Sequence, residues 1–225
     1  MSGRRLLLVR HGVTDWNREG RFQGHLDPPL ADDGVAEASL LGARLAADGD
    51  LRPVRIISST LARAFETARA IGTAVGVEVE PDARLIEIGQ GEWEGRTHGE
   101  LAETDADRYA AWRNDAGIRQ PPGGEALDLA TRRVTDLLAA IDEVDAAGPI
   151  CLVSHGGTLR ILARAVFGRD VEAPWSFDVD NASLSVCSEL GPSEGWRLER
   201  WNDTMHLLGS MDTHVDEAEG RPLAL

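Results

Sequence analysis

Leu6-Leu7-Leu8-Val9-Arg10-His11-Gly12 is the stretch on which the reading of this chain turns. Four apolar residues in a row, closed by a polar, Gly-containing loop, predict a strand buried on both faces. Such strands belong to parallel sheets covered by helices, and ligands of those sheets bind outside the carboxyl ends of the strands. Arg10 and His11 stand at that end.

The same grammar recurs outward from there. Residues 54–57 and 149–153 are further short apolar runs. They lead into Ser58-Ser59-Thr60-Leu61-Ala62-Arg63 and into Ser154-His155-Gly156-Gly157. Helical spacing of apolar residues predicts helices over 30–47, 60–75, 101–112, 125–144 and 158–167. A short strand is expected at 77–79, a loop over 87–99, a break at Gln120-Pro121-Pro122-Gly123-Gly124, and a closing antiparallel pair from 184–187 and 196–201. Alternating strands and helices predict an α/β three-layer sandwich, with a mostly parallel central sheet and helices on both faces. One domain over 1–208 is expected, followed by a loose acidic tail over 209–225.

Composition narrows the partners. The 225 residues hold 38 Asp and Glu against 23 Lys and Arg, a net charge of −15. That field repels nucleic acid and anionic membranes, so neither is expected as a partner. Salt screens it beyond about 8 Å, so a local group of arginines can still capture a phosphate. The apolar run behind Arg4 and Arg5 is too short for a signal peptide or a membrane span, and a cytoplasmic location is expected. Cys151 and Cys187 sit inside apolar runs and read as small buried side chains.

If the three predicted strands are parallel neighbours, their loops bring Arg10, His11, Arg63 and His155 into one crevice. Guanidinium forks, helix amino termini and glycines that admit close backbone approach suit a phosphate dianion. A neutral imidazole can take a phosphoryl group covalently, and a carboxylic acid can protonate the leaving alkoxide. Glu87, between Ile86 and Ile88, is the first candidate for that acid, but residue chemistry alone leaves Glu92 and Glu94 open as well. His25, His98, His206 and His214 lack metal-ligand spacing and read as ordinary. No G-x-S-x-G elbow, P-loop lysine or H-E-x-x-H is present.

Five blocks in order resemble the histidine phosphatase superfamily, which also contains the cofactor-dependent phosphoglycerate mutases. They are Leu8-Val9-Arg10-His11-Gly12-Val13-Thr14-Asp15-Trp16-Asn17 with Arg21-Phe22-Gln23-Gly24; Ser58 to Ala64; Glu87-Ile88-Gly89-Gln90-Gly91-Glu92-Trp93-Glu94-Gly95; Gly123-Gly124-Glu125; and Ser154-His155-Gly156-Gly157. The resemblance implies a phosphoglycerate mutase-like fold, His11 as the phosphorylated nucleophile, and Arg10, Arg63 and His155 around the phosphate. It makes Glu87 the general acid and places Asn17, Thr14, Gln23, Gly24 and Gly156 on the substrate. It implies a small phosphomonoester substrate, no metal and no cofactor, and it is compatible with a homodimer. The Gly91 to Gly95 segment resembles the phosphatase branch, and Trp175-Ser176-Phe177 with Asp180-Asn181-Ala182-Ser183 resembles small-molecule phosphatases. A phosphoglycerate mutase and a non-catalytic phospho-ligand binder are the alternatives.

Overall fold

The computed structural model describes residues 4–114, 120–142, 148–167, 178–191 and 195–208. Trp175, Ser176, Phe177 and the acidic tail fall outside them, as do residues 143 and 144 of the expected fifth helix.

Strands β1 (Arg5–Arg10), β2 (Arg55–Ser58), β3 (Val79–Pro81), β4 (Ile150–Ser154), β5 (Leu184–Gly191) and β6 (Gly195–Asp203) form one sheet in the order β3-β2-β4-β1-β5-β6. The pairs β1–β4, β2–β4 and β2–β3 are parallel; β1–β5 and β5–β6 are antiparallel. The expected sandwich and its closing antiparallel pair are both present.

Alternation along the strands divides the core in two. Leu6 and Leu8 of β1, with Ile150 and Leu152 of β4, point into a cluster with α6 (Leu127–Asp142) and α7 (Gly156–Phe167). Leu7, Val9, Cys151 and Val153 point the other way, against α2 (Asp32–Ala47) and α3 (Ala62–Val75). On α3 the buried Ala64, Ala68, Ile71 and Val75 recur at helical spacing and make the stripe that meets the sheet.

Two helices differ from expectation. The stretch predicted as one helix over 101–112 is two, α4 (His98–Thr104) and α5 (Ala106–Asn114). Asp105 breaks between them at φ −142°, and its carboxylate accepts from Trp93 Nε1 and Arg108 Nε. A one-turn helix, α1 (Asp15–Arg18), lies where no element was expected, and Thr14 caps it.

The strand order fixes the site. Arg10 of β1 stands level with Ser154 of β4, and Ser58 of β2 with Val153. His11 N–H donates to Ser154 O at 3.0 Å, and Ser59 N–H to Val153 O at 2.9 Å. The three polar loops therefore leave the sheet side by side.

Candidate active site

His11 and His155 face each other with ring centroids 5.1 Å apart. Arg10 and Arg63 are close enough to both rings to depress their basicity. All four side chains are buried, and so is Glu87. Sequence distance has been converted into one crevice at the carboxyl ends of β1, β2 and β4.

The backbone shapes the loop that carries His11. Gly12 packs on the first turn of α2, where a Cβ would meet Gly34 O at 2.4 Å, so no larger residue fits. Gly12 N–H donates to Thr67 Oγ1 at 3.1 Å, and that hydroxyl donates to Arg63 O at 2.8 Å, tying β1's loop to α3. His11 Nδ1 lies 2.7 Å from Gly12 O. A carbonyl only accepts, so Nδ1 carries the proton and Nε2 keeps its lone pair. Burial first, then the charges of Arg63 and Arg10, holds the His11 imidazole well below its ordinary pKa. Burial does the same to His155, helped by Arg63 and His11. Both rings are neutral at neutral pH.

The guanidiniums are only partly satisfied. Arg10 Nη1 donates to Val179 O at 2.5 Å. Arg63 Nη1 donates to Leu26 O at 2.8 Å and Nη2 to Gly24 O at 3.0 Å, with Asp27 Oδ1 3.3 Å from Nη1. Arg10 Nε, Arg63 Nε and His155 Nδ1 have no partner among the described residues. His155 Nε2 is 2.8 Å from Ser59 Oγ. Burial depresses both arginine pKa values, yet both remain charged.

Glu87 meets the amino end of α7. Its Oε2 accepts from Gly157 N–H at 3.1 Å, and its Oε1 from Thr158 N–H at 3.1 Å and Ile88 N–H at 2.8 Å. The approach requires glycine at 157, because a Cβ there would lie 2.7 Å from Glu87 Oε1. Glu92 is solvent-exposed. Glu94 Oε1 accepts from the N–H groups of His25 and Gln90 and so supports the loop of Gly24. Geometry thus separates three carboxylates that residue chemistry left open.

The remaining expected residues divide. Gln23 is buried, and its Oε1 has no partner among the described residues. Gly24 contributes its carbonyl to Arg63. Gly156 opens α7 with the guanidiniums of Arg10 and Arg160 nearby. Thr14 is committed to the cap of α1, its hydroxyl donating to Asn17 Oδ1 and accepting from Asn17 N–H. Asn17 Oδ1 also accepts from Thr14 N–H and Asn181 Nδ2, which leaves its amide nitrogen as the group available to a ligand.

Sequence reasoning missed Asn181, whose Nδ2 donates to His11 O at 3.0 Å and steadies the loop. It also missed Arg160, buried one turn into α7. Trp93 lies in an aromatic block with Phe22, Tyr109 and Trp112 and anchors the segment before Gln23. Among the described residues, no group of three or more His, Cys, Asp or Glu could hold a metal ion. No helix there is long and apolar enough to cross a membrane. Cys151 and Cys187 are free and buried, and burial pushes both thiols up to about 12.

Comparison with known proteins gives a family match over residues 6–204, to the histidine phosphatase superfamily (branch 1). The glucosyl-3-phosphoglycerate phosphatase of Mycobacterium tuberculosis is 37% identical over 222 residues, covering 90% of this chain and 96% of that protein. Phosphoserine phosphatase 1 of Hydrogenobacter thermophilus is 36% identical over 183 residues, covering 81% of this chain and 85% of that protein. Among solved structures, the mycobacterial glucosyl-3-phosphoglycerate phosphatase with VO3 superimposes with a TM-score of 0.80 at 35% identity, over 88% of this chain and 98% of that one.

Proposed function

The chain belongs to the histidine phosphatase superfamily, and from that premise we propose that it is a metal-independent phosphatase hydrolysing small phosphate monoesters through a phosphohistidine at His11. The observation that carries this reading is the pair of buried, unpartnered guanidinium donors, Arg10 Nε and Arg63 Nε, beside the unpartnered His155 Nδ1 and an imidazole whose Nε2 is held unprotonated. Buried donors without acceptors are costly, and an anion offering several oxygens relieves that cost.

In the proposed sequence the phosphate oxygens engage Arg10, Arg63, His155 and the Asn17 amide. The Nε2 lone pair of His11 attacks phosphorus as the bond to the ester oxygen breaks. Glu87 enters this step protonated and gives its proton to the departing alkoxide from Oε2, which has a single N–H partner. In the second step the Glu87 carboxylate takes a proton from water as that water attacks phosphorus. Orthophosphate leaves, and both His11 and Glu87 are restored. The fixed cations supply the charge stabilisation that a metal supplies elsewhere. The same proposal puts the enzyme in the cytoplasm, where buried thiols stay reduced. Small organic phosphates such as phosphoserine and glucosyl-3-phosphoglycerate are the first substrates to assay.

His11→Ala tests the covalent step. Turnover is expected to fall by roughly 10⁴-fold or more, with loss of the acid-labile phosphoenzyme seen on rapid quench. Retained turnover in that variant would remove the phosphohistidine from the mechanism. A chelator is expected to leave the wild-type rate unchanged.

A further inference from the structure

Glu87 follows a single 3-10 turn, Ala83–Leu85, and the successive carbonyls of residues 84–89 are each taken by a group from elsewhere or by a nearby side chain. Arg84 O accepts from Arg133, Leu85 O from Ser154 Oγ, and Ile86 O from Thr158 Oγ1. Glu87 O accepts from His25 Nε2–H, Ile88 O from Gln90 Nε2, and Gly89 O from Glu125 N–H. Beyond the turn at its start no strand ladder fixes this segment, so the conformation of residues 86–89 depends on those contacts.

The two ends of the segment are held by one ion pair. Glu125 precedes α6 and Arg133 lies in its second turn, where Nε meets Oε1 at 2.9 Å and Nη2 meets Oε2 at 3.1 Å. Each side chain is only 15% exposed. Arg133 Nη1 holds Arg84 O at 2.8 Å, while Glu125 Oε2 accepts from Gly89 N–H at 3.3 Å. Arg133 Nη2 also reaches Thr158 Oγ1 at 3.4 Å, and Thr158 N–H is one of the donors to the Glu87 carboxylate. Glu125 belongs to the Gly123-Gly124-Glu125 block.

We propose that Glu125 and Arg133 are positioning residues for Glu87: the pair clamps residues 84–89 against α7 so that the carboxyl meets the leaving-group oxygen. This rests on the reading of Glu87 as the general acid. A planar guanidinium bridges a carboxylate and a carbonyl at once, and removing either partner leaves the other charge largely buried and the loop released at one end. The phosphate cradle of Arg10, Arg63 and His155 is built from other elements and keeps its geometry.

The test compares kcat/KM for an alkyl phosphate and for p-nitrophenyl phosphate, because kcat/KM covers the steps up to departure of the leaving group. Glu125→Gln and Arg133→Gln are expected to lower the alkyl value about tenfold to a hundredfold, the scale of a misplaced catalytic group. The aryl value and inhibition by orthophosphate should stay within about threefold, since an activated leaving group departs without a proton. Arg133→Lys keeps the charge but cannot grip Glu125 and Arg84 together, so it should fall between, and it carries the comparison where Arg133→Gln does not fold. Equal loss on both substrates, or no loss, overturns the proposal. Glu87→Gln in the same assay separates the two claims. If it shows no dependence on the leaving group, the acid reading fails and the clamp with it. If it does and the clamp variants do not, only the clamp fails.

Discussion

Arg63 and Arg133 are both buried or nearly so, both lie on helices that cover the sheet, and they are satisfied in opposite ways. Every nitrogen of the Arg133 guanidinium has a partner: Glu125 for Nε, Arg84 O for Nη1, and Glu125 with Thr158 for Nη2. Arg63 is more deeply buried, yet among the described residues its Nε has no partner and its one carboxylate contact, Asp27, is 36% exposed. Burial costs both cations hydration. The first is compensated within the protein; the second is compensated in part and keeps a donor directed at something else. A fully paired buried arginine reads as architecture, and an incompletely paired one among imidazoles reads as a binding group.

Substitution of Arg63 is the harshest test of that contrast. Arg63→Ala should lower kcat/KM by about 10²- to 10³-fold, the range found when one preorganised donor to a transition-state oxyanion is removed. The same variant should lose its response to orthophosphate in a thermal melt. For the wild type a ligand at a hundred times its Kd stabilises the fold by about 2.7 kcal/mol. Arg133→Gln should melt at a lower temperature yet keep the phosphate response. If Arg63→Ala still responds to phosphate like the wild type, Arg63 is architecture too and the contrast collapses.

Legibility of the sequence follows the same division. Leu6 to Gly12 reads correctly because strand, strand end and polar loop are contiguous, and the parallel neighbours repeat the pattern at Ile57 and Val153. Helix α1 escapes because one turn has no periodicity. Its signal was the capping pair three residues apart, Thr14 and Asn17. The break at Asp105 escapes because the aspartate finds its partners, Trp93 and Arg108, only after folding. Arg133 looks like any surface arginine on an amphipathic helix. Its partners Arg84 and Glu125 come from a short 3-10 turn and a loop whose meeting no local pattern announces. His25 reads as ordinary for the same reason, although it bridges the loop gripped by Arg63 to the carbonyl of Glu87. The groups proposed to face phosphate follow strand ends and are legible; the groups that hold Glu87 are not.

A milder test uses pH. Burial and neighbouring arginines hold His11 and His155 below the ordinary histidine value in the folded chain, while the unfolded chain titrates near 6.5. Between those values the unfolded chain binds more protons, so stability rises with pH across the window and is lost as pH falls below about 6.5. Urea melts from pH 8 down to 5 should show that decline, and His11→Asn should make it shallower. Arg133→Gln should not flatten the slope to the same degree, because Arg133 is the smallest of the causes acting on His155. A slope as steep in the His11 variant as in the wild type would mean that this imidazole does not titrate with unfolding.

The smallest effect belongs to Arg132, the neighbour of Arg133 in sequence and its opposite in environment. Arg132 pairs with Asp128 one helical turn earlier at 3.3 Å, and the two side chains are 74% and 65% exposed. Such a pair gains about 0.3–0.5 kcal/mol at most, because water and salt screen it and two long side chains must be held still. Arg132→Ala should therefore shift the denaturation midpoint barely beyond error, with kcat/KM unchanged for alkyl and aryl phosphates alike. One residue further on, the same truncation removes both prongs that fasten Arg84 and Glu125. If the Arg132 variant loses as much stability as the Arg133 variant, helical charge in general and not the buried fork is what matters on α6. The satisfied guanidinium would then have no special standing beside the unsatisfied one.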